Sequence, residues 1–345
     1  MKKVPHNRPS LGKEEAAAAA RVIRSGWVAE GGEVAAFENE ICKFVGLPKG
    51  HAAALSSGTA ALYLALRAIG VTRDDEVILP TYVCSATLNA VFAAGAKPVL
   101  ADIDPLDLNL SAESARKKVS KKTKAIIVTH TFGMPADMKA IRRLGVPIIE
   151  DCAVALGSKI GNKHVGTFGE AAVFSFYASK IITTGYGGMV LSKNKRFIEK
   201  VRDYREFDMR KSYTPRFNFL LSDVNAAVGR VQLKKLPRFL KKRASMAAAY
   251  YRALPREVVW PHREGLRGRK INFHRFLIRT KAPRRLQKFL KARGIQTIIP
   301  TEPWELLHRY LKQSPKRFPV SEEVARTTLS LPIHPSLSSA EVRRI

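Results

Sequence analysis

DDEVILPTYVCSATLNAVFAAGAKPVLADI, residues 74–103, holds one full turn of a repeating pattern. EVILP at 76–80 and PVLADI at 98–103 are short apolar runs, and the stretch 84–94 between them has the length and spacing of a helix. An apolar run without polar alternation is a strand buried on both faces, and strands separated by helices pair in parallel. The pattern continues in both directions. A helix is predicted at 59–69 before it; the strand AIIVTH at 125–130, a short helix at 137–144 and the strand VPIIED at 146–151 follow it. These elements predict an α/β fold, a mainly parallel sheet between helices. AAVFSFYAS at 171–179 and GGMVLS at 187–192 read as further strands joined by a glycine-rich turn. Helices are predicted at 14–24, 34–45, 194–206 and, unusually long, 222–253. From about Trp260 the text is mixed, with a strand-like NFHRFLIRT, a helix at 283–293 and then proline-rich loops. A large domain over residues 1–240 and a smaller C-terminal α+β domain over 241–345 are expected, with the N-terminal segment a candidate to pack on the smaller one.

Of the 345 residues, 46% are hydrophobic and 26% charged, ordinary values for a chain that builds a core. No window reaches the roughly 18 uncharged apolar residues of a membrane span. The start, MKKVPHNRPSLGKEE, has no apolar stretch of the kind a secretory signal carries, so a cytoplasmic location is expected. Cys42, Cys84 and Cys152 are odd in number and lack CxxC spacing, which suggests neither a disulfide framework nor a metal site. The net charge of +31 is unevenly placed: from Arg230 onward there are 28 basic and 7 acidic residues. Such a field attracts polyanions or phosphorylated substrates, and equally describes a solvated basic face. No zinc-finger, RNA-recognition or helix-turn-helix signature accompanies it, so no specific nucleic acid and no membrane are expected as partners.

Three stretches offer chemistry. SSGTAAL at 56–62 opens a helix with small residues, so that backbone N–H groups can hold a phosphate; the same residues also serve as an ordinary N-cap through Ser57 or Thr59. It matches neither GxGxxG nor the P-loop. Glu150-Asp151 closes a parallel strand, where ligands of open α/β sheets sit, although a cap or turn explains it as well. FSFYASKIITTGYGG at 174–188 puts Lys180 just past a strand in small polar surroundings, as a Schiff-base lysine requires, but one lysine among 60 basic residues carries little alone. Together the three are the parts of a pyridoxal-phosphate site: an anion cradle, a carboxylate for the ring nitrogen and an amine for the carbonyl carbon.

The chain resembles the DegT/DnrJ/EryC1/StrS aminotransferases, which act on nucleotide-linked keto-sugars. The resemblance runs collinearly through IRSGWVAEGGEVAAFE, SSGTAALYLALRAIG, VTHTFGMPADM, EDCAVALGSKIGNKHVGTFGEAAVFSFYASKIITTGYGGMV, NFLLSDVNAAVGRVQLKKL and FPVSEEVARTTLSLPIHPSLSSAEV. It implies a type I pyridoxal-phosphate fold and transfer of an amino group from an amino acid, expected to be glutamate, to a nucleotide-linked keto-sugar in amino-sugar or cell-surface polysaccharide biosynthesis. It further implies Lys180 as the Schiff-base lysine and proton carrier, with Asp151 on the ring nitrogen. Gly58, Thr59, Ala60 and Ser175 would hold the phosphate, Cys84 would lie against the ring, and Asn218 would reach the cofactor of a partner subunit in a homodimer with shared sites. A lysine at 180 argues against the family's dehydratase branch, which carries histidine there.

The chain departs from the family pattern at several points. Val154 stands where a Gln or His usually bonds the ring's phenolic oxygen, Cys84 where many members have an aromatic, and Ile181 where an Asn often follows the lysine. Leu220 replaces a frequent Arg, Gly185-Tyr186 replaces Gly-Glu, and the chain stops at EVRRI where related sequences run on. These changes leave open the alternative of a member that binds cofactor or nucleotide-sugar with little turnover.

Overall fold

The computed structural model describes residues 3–260 and 268–345. Its strands are β1 (Ala52–Leu55), β2 (Glu76–Pro80), β3 (Lys97–Ala101), β4 (Thr123–Thr129), β5 (Ile148–Asp151), β6 (Lys159–Ile160), β7 (Lys163–His164), β8 (Ala171–Ser175), β9 (Gly188–Leu191), β10 (Val259–Trp260), β11 (Arg269–Lys270), β12 (Phe276–Arg279) and β13 (Thr328–Leu331). Around them run α1 (Lys13–Ser25), α2 (Gly32–Val45), α3 (Gly58–Ile69), α4 (Ser85–Ala93), α5 (Ala112–Arg116), α6 (Met138–Arg142), α7 (Lys195–Tyr204), α8 (Asp223–Ala253), α9 (Pro283–Ala292), α10 (Leu307–Tyr310), α11 (Pro319–Thr327) and α12 (Ser339–Arg344).

A 7-stranded sheet in the order β1-β9-β8-β5-β4-β2-β3 forms the centre. Pairing is parallel from β3 through β8, then antiparallel across β8–β9 and β9–β1. Alternate side chains of each strand enter opposite cores. Leu55, Val173 and Val190 join Leu64 and Leu66 of α3 and Ile198 of α7 on one face. Ala54, Phe174 and Met189 join Phe37 and Ile41 of α2 and Leu236 of α8 on the other. This two-sided burial is why the strands read as unbroken apolar runs. Leu64 is fully buried, and truncating such a residue to alanine costs about 2–5 kcal/mol. Close approach of α8 to α2 and to the turn between β8 and β9 requires Gly229, where a Cβ would lie 2.6 Å from Thr184 and 2.8 Å from Phe37.

A second, 3-stranded antiparallel sheet, β10-β12-β13, packs with Met246 and Tyr250 of α8 and with Val4. Val4 also bonds through its backbone to Gly294 and Gln296. β11 pairs with β6, which ties this part of the chain to the loops beyond β5.

Three sequence readings change. The strand expected over 171–179 ends at Ser175, so Lys180 sits in the turn that follows rather than at the strand end. β1 is absent from the pattern because AAAL is short and poor in strand formers. The proline-rich text after residue 300 contains α10, α11 and β13, with prolines at the first turns of short helices, where a missing N–H is harmless. The first residues of the mixed stretch after Trp260 lie outside the described residues. No helix of the described residues is long and apolar enough to cross a membrane.

Candidate active site

Parallel pairing sets Thr129 and Asp151 side by side at the carboxyl ends of β4 and β5, with Val173 of β8 next to Asp151 and the end of β8 two residues beyond. Ligands of open α/β sheets bind at this edge. A cavity of about 320 Å³ opens there, lined by Asp151, Lys180, Cys84 and Val154 among others. Thus the structure brings together the two residues expected to be catalytic. Asp151 is buried, and one carboxylate oxygen accepts the Ala153 N–H at 3.0 Å. Burial pushes its pKa up, against the lowering effects of that hydrogen bond and of Lys180. The Lys180 amine has no hydrogen-bond or ion-pair partner among the described residues. Desolvation pulls its pKa down, and Arg275 adds to this, while Asp151 and Cys84 oppose it. Burial thus shifts each pKa against its charged form by more than the other group offsets.

Beneath Asp151 lies a saturated network. His130 Nδ1 accepts the Ala136 N–H at 3.0 Å, so Nε2 carries the ring proton and donates it to Glu150 at 3.0 Å. Glu150 also accepts the N–H groups of Gly166, Phe168 and Gly169. Burial alone would raise the Glu150 pKa; the His130 bond and these N–H groups outweigh it and hold the carboxylate below its usual range. Cys152 is close to both, but their lone pairs are already committed to hydrogen bonds.

The expected anion cradle forms at the start of α3. Ser57 Oγ caps the Ala60 N–H at 3.1 Å, which is the ordinary N-cap role, while the N–H groups of Gly58 and Thr59 remain free. Gly58 abuts Ser175 so closely that a Cβ would sit 2.9 Å from its Cβ and 3.2 Å from its hydroxyl. These residues border the sheet edge but do not line the first cavity. Thr59 and Ala60 face a neighbouring cavity of about 490 Å³ together with Phe217 and Phe219. Asn218 is exposed between those two stacked rings and reaches neither site within its own chain. Ile181 is buried in the core and Tyr186 is exposed beside Tyr177.

Pyridoxal phosphate needs a carboxylate for its ring nitrogen, a free amine near its aldehyde carbon and donors for its phosphate. An Asp151 oxygen without a partner, the unpartnered Lys180 amine and the open α3 terminus beside Ser175 fit those needs.

Several lining residues carried no sequence signal of their own. His130 and Phe132 follow β4 and were legible only as a strand end. His274 and Arg275 come from the strand-like NFHRFLIRT, where nothing in the pattern marks them. Asn272 delivers them: its side chain donates to the carbonyls of Val154 at 2.9 Å and Leu156 at 3.0 Å and accepts the His274 N–H at 2.9 Å. His274 Nε2 then faces the Ser179 carbonyl at 3.2 Å, one residue from Lys180. Burial holds this histidine well below its ordinary pKa, so it stays neutral.

The sequence profile of the DegT/DnrJ/EryC1/StrS aminotransferase family matches residues 9–345. The GDP-perosamine synthase of Vibrio cholerae is 32% identical over 99% of this chain and 97% of its own length. Among solved structures, the aminotransferase TlmJ from Streptoalloteichus hindustanus aligns with a TM-score of 0.92 at 31% identity, over 99% of this chain and 96% of that one. S. venezuelae DesV, solved in complex with a ketimine intermediate, aligns with a TM-score of 0.89 at 33% identity, over 96% and 92%. With this match along nearly all of its length and a site that suits the cofactor, the chain belongs to the DegT/DnrJ/EryC1/StrS family of pyridoxal-phosphate-dependent aminotransferases.

Proposed function

We propose that this enzyme moves an amino group from an amino acid, glutamate first among the candidates, to the keto group of a nucleotide-linked sugar in amino-sugar biosynthesis. The observation that carries the substrate class is the end-to-end relationship to a GDP-perosamine synthase, over 99% of this chain and 97% of that protein's length. When bound, pyridoxal phosphate supplies an electron sink that makes the C–H bond beside the amino nitrogen acidic. Lys180 would take that proton at its Nζ and return it to the carbon on the other side of the same nitrogen, a task suited to an amine whose pKa burial has lowered. Asp151 would hold the proton at the ring nitrogen through the oxygen that has no partner among the described residues, and burial, by raising its pKa, strengthens it as an acceptor. The N–H groups of Gly58 and Thr59 and the Ser175 hydroxyl take the phosphate, the Ala60 N–H being held by the Ser57 cap, and Cys84 rests against the ring.

The test is direct. The purified protein should be yellow, and borohydride should fix the cofactor to a peptide containing Lys180. Label on another lysine sinks the assignment. With glutamate and a panel of GDP- and TDP-linked keto-hexoses, an aminated sugar should appear by mass spectrometry; absence of product with every acceptor overturns the substrate class.

The same reading makes the enzyme a cytoplasmic homodimer, in which Asn218, exposed and lining neither cavity, serves the partner subunit's cofactor. Light scattering should give twice the 38.3 kDa chain mass. A monomer that binds cofactor tightly contradicts it. It also divides the chain near residue 240, within α8, into a cofactor-binding part and a smaller part built on β10-β12-β13.

A further inference from the structure

Arg275 stands directly before β12 and lines the cavity beside Lys180. It is half-buried, and among the described residues its guanidinium has no ion-pair or hydrogen-bond partner. Desolvation holds its pKa down at about 10, and the only opposing influence is the Tyr82 hydroxyl. Other buried arginines are treated differently. Arg205 meets the carboxylates of Glu30 and Glu38, and Arg243 donates to the carbonyls of Phe273, His274 and Ile333. A desolvated cation without a partner is unfavourable, and such a group in a cavity is suited to a ligand that brings the missing anion.

The position of Arg275 is built. Asn272 anchors its segment to the loop after Asp151. The ring of Phe132 lies 5.8 Å from the guanidinium, and Phe132 holds the left-handed φ of 57°. Phe273, two residues before Arg275, has φ 53°. Two aromatic residues in a conformation that side chains avoid, both flanking one cation, mark a place where local strain is retained.

The location also selects among anions. Arg275 and Lys180 line the same cavity, and the guanidinium acts electrostatically on the amine. An amino donor must place its nitrogen where the lysine amine stands, and its carboxylate hangs from the same carbon as that nitrogen. The reacting carbonyl of a keto-sugar has only carbon neighbours bearing hydrogen or hydroxyl, and its diphosphate leaves from the anomeric carbon elsewhere on the ring. A cation beside the lysine amine suits the first molecule and not the second. Resting on the aminotransferase reading above, we infer that Arg275 binds the α-carboxylate of the amino donor and so makes the enzyme select α-amino acids over simple amines.

The experiment compares glutamate with 4-aminobutanoate, which is glutamate without its α-carboxylate. Each is titrated into the cofactor-loaded enzyme and the visible spectrum is followed; the amine-loaded enzyme is then titrated with a nucleotide-linked keto-sugar. In Arg275→Met the glutamate concentration for half-conversion should rise about 10- to 100-fold, the value of a lost charge-assisted hydrogen-bonded pair. The response to 4-aminobutanoate should change little, so the preference between the two collapses. Arg275→Lys should recover part of the preference, and the keto-sugar step should move less than about threefold, within the scatter of context effects on a single contact. Arg275→Gln serves as a second neutral variant, and a thermal melt verifies that each variant is folded. An unchanged preference in folded Arg275→Met or Arg275→Gln overturns the inference. Loss confined to the keto-sugar step assigns Arg275 to the diphosphate and overturns it as well. A wild-type enzyme whose spectrum no amino acid alters would instead refute the reaction reading itself.

Discussion

Two clusters of buried charge, on the same sheet, are built on opposite rules. Near the start of β1, Glu38 accepts the Ala54 N–H at 2.7 Å and pairs with both Arg202 and Arg205, while Arg205 also pairs with Glu30 and donates to the Ala54 carbonyl at 2.6 Å. Each carboxylate there meets a guanidinium, although the Nε of Arg202 and of Arg205 stays buried without a partner among the described residues. At the carboxyl ends of β4, β5 and β8, Asp151, Lys180 and Arg275 share one cavity with hardly a bond among them. The first cluster fastens α2 and α7 to the sheet edge. The second keeps its bonding capacity unused, at a cost in stability, for molecules that come and go. Charge that is buried and paired is structural; charge that is buried and left open is the better sign of chemistry.

Mutation can break this contrast in graded ways. Lys180→Ala should lower turnover by about 10⁴-fold or more, because the proton carrier is gone, and should leave the melting temperature of the cofactor-free protein nearly unchanged. Steady-state rates beside a melting curve check both halves. Glu38→Leu should do the reverse. It leaves Arg205 with one carboxylate and Arg202 with none, and should cost about 3–5 kcal/mol in denaturant titration with little change in rate per folded molecule.

Asp151→Asn separates the two effects within one residue. Turnover should fall about 10²- to 10³-fold, the range seen when one preorganised electrostatic partner is removed. Stability without cofactor should hold or improve. The sign follows from the raised pKa: the folded state holds the Asp151 proton more tightly than the unfolded chain, so its contribution to stability falls as pH rises from the unfolded pKa through the folded one. A pH series of melting temperatures on cofactor-free wild type and variant should therefore diverge on the alkaline side of that window and converge below it. Val154→Gln gives the smallest effect. It adds a donor beside the ring position where many family members have one, and should alter turnover by less than about tenfold, one hydrogen bond's worth. A large gain would mean that the valine had crippled the enzyme.

The contrast also explains what could be read in advance. The apolar runs at 76–80, 125–130 and 146–151 are buried on both faces, and that physical demand on composition made the parallel sheet legible. Gly58, Asp151 and Lys180 were legible because an anion cradle, a strand-end acid and a post-strand lysine are local features of the chain. Their order along it matches a family pattern. Arg275 and His274 were not, because their meaning depends on what they lack.

The sequence by itself determined the sheet, the order of its helices and the candidate groups for the site, since periodicity and local motif are properties of neighbouring residues. Only the tertiary structure decided which charges would be satisfied. Arg205 and Arg275 are the same residue type. One is paired because α7 packs over Glu38 and the sheet edge. The other is open because Asn272 and the bend at Phe273 carry it across to the far end of β5. Burial and partnership are set by contacts between residues more than a hundred positions apart, and no local pattern encodes them.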